Sequence, residues 1–131
     1  DNPLLGLVSL IAPALAGGNT VVCLASEKWP HSAISFGEVL HASDIPSGVV
    51  NILTGFASEL AEHFSTHKDV NGIVYCGDNT DLVKSIQEKA SENIKRIHYY
   101  DKIDWLKENG QSPYFIIDHV EIKTTWHPVG N

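Results

Sequence analysis

Four short runs rich in β-branched residues, NTVVCL, SGVVNIL, VNGIVYC and IKRIHYY, alternate along the chain with four longer segments of helical pattern. No other feature limits the fold as much. Strands that read as near-continuous Val and Ile runs need cover on both faces, and a parallel sheet with flanking helices provides it. The helical segments carry their own end signals. Pro3 opens the first where no N–H is needed, LLGLVSLIAPALA continues it, and Gly17–Gly18 stop it. Residues 32–43 place Phe36, Val39 and Leu40 on one stripe, and residues 57–66 form a third helix. TDLVKSIQEKAS is a fourth, with Asp81 early and Lys89 late as the helix dipole prefers. The expected fold class is α/β, with a parallel sheet of about four strands flanked by helices.

The end of the chain departs from this rhythm. SPYFIIDHVEIKTTWHPVGN holds two extended runs, 114–117 and 119–126. In the second, Val120, Ile122 and Thr124 alternate with Glu121, Lys123 and Thr125, which suits a C-terminal extended strand pairing outside its own domain. The expected division is therefore 1–112 for the α/β domain and 113–131 for the terminal strand. A chain of 131 residues holds one such core and not two, and 43% hydrophobic with 19% charged residues is a globular balance. A formal net charge of −7, with basic residues scattered apart from Lys95–Arg96, argues against nucleic acid as a partner. The apolar run from Leu4 to Ala16 is shorter than the roughly 20 residues a bilayer demands, so no membrane partner is expected. No basic flank marks a signal peptide. Cys23 and Cys76 each end an apolar run, as buried reduced thiols do, and a cytoplasmic location is expected. The sequence contains no methionine, which reads as a fragment or processed piece of a longer chain.

The stretch GIVYCGDNTD, residues 72–81, runs from a strand through Gly77 into a helix start. Backbone N–H groups gather at such a junction and normally hold a nucleotide phosphate. Here Asp78 follows the glycine. Its carboxylate is expected to take the helix N–H groups itself, with Asn79 and Thr80 as competing caps. A carboxylate about 4 Å from a bound phosphate would cost on the order of 4 kcal/mol at an effective dielectric near 20. That is roughly a thousandfold in affinity. Cys76 beside the helix start is a candidate nucleophile, set against a plain structural thiol that Asp78 would keep protonated. His63 and His67 stand four apart as a metal pair or a solvated helix end. His119 and His127 flank the last strand as interface or surface groups. Trp29, Trp105 and Trp126 are expected to anchor packing.

Taken in order, PLLGLVSLIAPALAGGNTVV, Ser26–Glu27, IPSGVVNILTGF, THKDVNGIVYCG and NIKRI resemble the aldehyde dehydrogenase superfamily over about residues 3–100. The resemblance implies the Rossmann-like nucleotide-binding domain of that superfamily, starting just after its first strand. EIKTTWHPVGN resembles its carboxyl-terminal assembly strand, which implies a homo-oligomer, or a fuller aldehyde dehydrogenase unit, joined through residues 119–126. The most similar type is the tandem family 16, whose second unit is shortened and lacks the nucleophile.

Departures from the family pattern shape the functional expectation. The ribose-holding Lys-Pro-Ser-Glu motif is LASE here, so Glu27 matches while Leu24 replaces the lysine. Losing a charged hydrogen bond weakens binding by roughly 1.5–3 kcal/mol. Glu27 is left with two readings, a ribose ligand or a cap for the turn that follows. Asp78 stands at the phosphate-contacting serine, and Ala57 and Ala61 replace glycines after the Gly55–Phe56 turn. The oxyanion-hole asparagine aligns with Asp1, or with Asn2 after a one-residue shift. The general base aligns with Tyr100, or with Glu108 if ENGQSP is the altered motif. Neither Cys23 nor Cys76 replaces the family nucleophile. The resemblance then implies relic cofactor contacts at Glu27, Gly55 and Gly77, no catalytic residue and no metal. The leading expectation is a non-catalytic domain serving oligomerisation or regulation, with no cofactor. The alternative is the NAD- or NADP-binding portion of an aldehyde dehydrogenase whose catalytic residues lie in another segment or chain.

Overall fold

Val and Ile lose χ1 freedom against a helical turn and pack well on a pleated surface, so the β-branched runs become strands. The computed structural model describes residues 2–129. Helix α1 (Pro3–Ala16) leads to β1 (Val21–Leu24), α2 (His31–His41), β2 (Val50–Leu53), α3 (Ala57–Thr66), β3 (Gly72–Cys76), α4 (Thr80–Ser91) and β4 (Arg96–Tyr100). A 3₁₀ turn over Glu108–Gln111 and the short α5 (Phe115–Asp118) follow. The α/β architecture with four parallel strands and flanking helices is borne out.

The strands stand in two parallel pairs, β1 with β2 and β3 with β4. Val21 faces Val50 in the first pair and Gly72 faces Arg96 in the second. Helix α1 packs on α2, and α3 packs on α4, where Lys89 Nζ reaches Glu62 Oε1 at 2.8 Å. Right-handed crossovers leading outward from β1 and from β3 put these two helix layers on opposite faces. A cavity of about 640 Å³ lies between the pairs, bordered by β1 and β3.

The core is thin and made of small residues: Ala14, Ala25, Ala33 and Ala90 are buried beside Ile11, Val83 and Ile86. Its densest part is aromatic. Trp105 lies across Gly6 of α1, where an added Cβ would come within 2.9 Å of the indole nitrogen. Phe115 tilts against both Trp105 and Tyr100, with ring centroids 6.4 and 5.1 Å away. Gln111 Nε2 donates to Ser9 Oγ and to the Trp105 carbonyl, tying the 3₁₀ turn to α1.

Three expectations need correcting. Residues 114–117 are expected to be extended, but Phe115–Asp118 are helical, because burying Phe115 against two aromatic rings outweighs the β preference of Ile116 and Ile117. Residues 119–126 form no strand among the described residues; no neighbouring edge meets them, and Ile122 is 80% exposed. Of the three tryptophans only Trp105 anchors packing, since Trp126 is 83% exposed and Trp29 sits beneath the Lys28 ammonium at the surface.

Candidate functional site at the carboxyl ends of β1 and β3

Strands β1 and β3 diverge in their connections, one leading to β2 and the other to β4, and their carboxyl ends open onto the cavity between them. In open α/β sheets a ligand crevice forms at such a reversal. Ser26 and Glu27 leave β1 at this mouth, Ala57 starts α3 beside them, and Tyr75 and Cys76 end β3.

Glu27 reaches across to the next helix. Its Oε1 accepts the Ala57 backbone N–H at 2.6 Å, satisfying one of the orphan donors of α3. Phe56 at the N-cap has no side-chain oxygen to do so. The carboxylate thus caps a helix 30 residues away rather than the turn after it. A carboxylate has a second oxygen, so this bond does not exhaust its capacity. Gly55 supports the approach with φ +154°, a region that L side chains avoid, and an added Cβ would meet Leu60 Cδ1 at 3.2 Å.

The start of α4 is capped differently from the expectation. Asn79 Oδ1 accepts the Leu82 N–H at 3.0 Å, and the Asp78 side chain stays exposed. Asn79 wins because it holds the extended N-cap conformation, φ −81° and ψ 92°, that aims its side chain back at the helix. Tyr75 is the residue that sequence reasoning missed. An added Cβ at Gly77 would lie 2.6 Å from the Tyr75 hydroxyl, so the space above the glycine is taken by that phenol. The Asn79 backbone also hydrogen-bonds Tyr75. Tyr99 donates to the Gly77 carbonyl at 2.9 Å, and the two tyrosine rings stack at 6.1 Å. Burial, with Asn79 pulling the other way and Asp78 and Glu27 adding to it, pushes the Tyr75 phenol up, so it stays neutral. The available signal was an aromatic two residues before the glycine, on the same strand face.

The other candidates disperse. Cys23 is pushed up to about 11 by burial, against its own backbone hydrogen bond, and Cys76 is raised by burial and by Asp101. Both remain thiols, as the structural reading expected, although Cys76 is exposed rather than buried. Tyr100 ends β4 and donates to Asp118 Oδ2, while His98 Nδ1 lies 3.8 Å from Asp118 Oδ1. Glu108 opens the 3₁₀ turn in an exposed position. His63 and His67 lie in and just after α3, and no group of three metal-ligating side chains occurs among the described residues. Leu24 closes β1 at the cavity. Asp1 lies outside the described residues; Asn2 borders the cavity. No helix among the described residues is long and apolar enough to cross a membrane.

Comparison with known proteins gives this crevice a context. The Aldehyde dehydrogenase family model matches residues 1–127. Hydroxyisobutyraldehyde dehydrogenase of Mycolicibacterium austroafricanum is 36% identical over 114 residues, covering 87% of this chain and 21% of that protein. NADP/NAD-dependent aldehyde dehydrogenase PuuC of Escherichia coli is 34% identical over 110 residues, covering 84% of this chain and 21% of that protein. Among solved structures, a mutant of aldehyde dehydrogenase C from Pseudomonas syringae, in complex with NAD+ and octanal, superposes with a TM-score of 0.68 at 30% identity. It covers 72% of this chain, which spans 19% of that one. The chain thus spans about a fifth of the length of the curated relatives it matches. These matches overturn the expectation that no cofactor belongs here, because one relative is named for its dependence on NADP or NAD and a structural neighbour holds NAD+. That expectation erred by treating an exposed carboxylate as if it filled the pocket. With its family model matched from residue 1 to residue 127, the chain belongs to the aldehyde dehydrogenase family.

Proposed function

We propose that this chain is the nucleotide-binding portion of an NAD(P)-dependent aldehyde dehydrogenase, contributing the adenosine side of the cofactor site. The observation that carries the reading is the placement of Glu27. It stands at the mouth of a strand-reversal crevice, beside the N-terminus of α3, with one carboxylate oxygen engaged. The residues present fit that half of a dinucleotide. Glu27 would hold ribose hydroxyls, and Gly55 lets the chain turn tightly enough for α3 to approach. At Gly77 the Tyr75 phenol lies where a Cβ would stand, so that hydroxyl is the group this strand end presents. Bound nucleotide would supply the hydride acceptor. No residue of the chain is assigned a chemical step. The assembly role joins this reading through residues 119–126, in which Ile122 and Trp126 project into solvent. Reduced thiols suit a cytoplasmic setting.

Calorimetric titration with NAD+ tests the proposal. Binding is expected, weakened about 10- to 100-fold in Glu27→Gln, as the loss of a charged hydrogen bond of about 1.5–3 kcal/mol requires. Asp78→Ser is expected to tighten binding only a few-fold, because Asp78 is exposed and a charge pair about 4 Å apart in water is worth about 1 kcal/mol. No NAD+ binding at millimolar concentration, or equal binding by Glu27→Gln, overturns it.

A further inference from the structure

Gly77 follows β3 beneath an aromatic ring. A Cβ built on it would stand 2.6 Å from the Tyr75 hydroxyl oxygen and 2.9 Å from Tyr75 Cζ, so the phenol lies folded across the glycine. Tyr99 fixes the same peptide by donating to the Gly77 carbonyl at 2.9 Å, and its ring lies within 17° of parallel to that of Tyr75. Neither contact uses the Tyr75 proton. The Asn79 backbone N–H is directed at the Tyr75 oxygen, which occupies acceptor capacity and leaves the O–H to donate elsewhere. Tyr99 and Tyr100 commit their protons, one to the Gly77 carbonyl and the other to Asp118 Oδ2. Tyr75 has no such acceptor among the described residues.

The surroundings decide what kind of group can use that proton. Tyr75 borders the cavity with Ser26, Glu27 and Ala57. Burial above all, then Asp78, Tyr99 and Glu27, keeps the phenol protonated against the pull of the Asn79 N–H. A neutral O–H donates best to an anionic oxygen, since a bond with one charged partner is stronger than one between neutral groups. Asp78 cannot take this part, because a carboxylate only accepts. A dinucleotide lies across a strand-reversal crevice, so a nucleotide held by its ribose at Glu27, on the β1 side, directs its phosphates toward the end of β3. Resting on the nucleotide reading above, we propose that Tyr75 is the phosphate ligand of this crevice, its hydroxyl donating to a pyrophosphate oxygen of the nucleotide whose ribose Glu27 holds. The ring over Gly77 is then part of the site and not an obstruction in it.

Calorimetric titration of the wild-type, Tyr75→Phe and Glu27→Gln chains with adenosine and with ADP tests the assignment. Adenosine offers base and ribose, and ADP adds the two phosphates. Phenylalanine keeps the ring over Gly77 and removes only the hydroxyl. Tyr75→Phe is expected to bind ADP about 10-fold more weakly than wild type and adenosine equally well, as the loss of one hydrogen bond to a charged group requires. Glu27→Gln is expected to weaken both ligands. Unchanged ADP affinity in Tyr75→Phe overturns the proposal and leaves the nucleotide reading standing. Tighter ADP binding by that variant also overturns it, because the phenol then obstructs the site. If neither ligand binds the wild-type chain at millimolar concentration, the nucleotide reading fails and the assignment of Tyr75 falls with it. A second measurement needs no substitution. Ultraviolet difference titration of the wild-type tyrosines is expected to show one phenol ionising at higher pH in the ADP complex than in the adenosine complex, since donation to an anion favours the protonated form. Identical titrations in the two complexes overturn the proposal.

Discussion

Lys95 brings an ammonium group to a position only 9% exposed, and it is held there by two carbonyls. Its Nζ donates to Val70 O at 2.7 Å and to His67 O. Those carbonyls lie where α3 ends and β3 approaches, so the side chain fastens this turn together with Asn93, whose Nδ2 donates to the Lys68 carbonyl at 3.2 Å. Lys95→Met keeps most of the apolar stem and removes the ammonium donor from the Val70 carbonyl, whereas the His67 carbonyl still accepts the Val70 N–H at 3.2 Å. The expected loss is about 2 kcal/mol in urea-induced unfolding, since an unsatisfied buried acceptor costs about 1–3 kcal/mol. An unchanged midpoint would show that water replaces the ammonium. In the sequence Lys95 was visible only as half of a basic doublet. The same limit applied to Glu27 and Asp78. Glu27 was singled out, but nothing local announces a hydrogen-bond partner 30 residues away. Residues 78–80 offer three capping oxygens in a row, and the choice of Asn79 rests on backbone angles that composition does not encode.

At the scale of elements, legibility followed the strength of the local pattern. Residues 57–66 and 80–91 emerge as helices with the bounds expected, because apolar periodicity and end signals agree there. The strands come out shorter than their β-branched runs, as ladder partners fail at the ends. Residues 114–117 misled because three apolar residues in a row carry no period, and the decision fell to packing. That packing depends on the 3₁₀ turn before it. Gly110 is buried there, and an added Cβ would lie 2.5 Å from the Asp104 carbonyl oxygen and 2.7 Å from Trp105 Cα. Both obstacles are backbone, so no rotamer change relieves them. Gly110→Ala is therefore expected to destabilise the fold by about 1–3 kcal/mol, the range for overpacking. Near-ultraviolet circular dichroism should weaken along with it, because Trp105 and Phe115 lose their fixed tilt. A variant with wild-type stability and spectrum would mean that the turn shifts as a unit.

For the whole molecule, the parallel architecture was legible from the rhythm of the chain, whereas the split of the sheet was not, because no residue pattern reports which strands lack a neighbour. The same shortage of neighbours sets the last prediction. Ile122 and Trp126 are 80% and 83% exposed, on alternate positions that place them on one face of any extended pairing. Glu121 and Lys123 take the other face, so the segment has one apolar and one charged side, which suits an outer strand rather than a buried one. A second copy of the chain can supply the missing edge, since strand addition draws its affinity from main-chain bonds and its selectivity from alternate side chains. Opposing this, each copy carries a formal charge of −7, and like charges repel most when salt is low. Sedimentation velocity should therefore show an oligomer that strengthens as ionic strength rises from about 0.01 M to 0.15 M, over which the Debye length falls from about 30 to 8 Å. The double variant Ile122→Lys, Trp126→Ser should sediment as a monomer at every salt concentration while keeping the wild-type Tm at dilution, because neither side chain is buried within the chain. A wild-type chain that stays monomeric at high concentration and 0.15 M salt would remove residues 119–126 from any role in assembly.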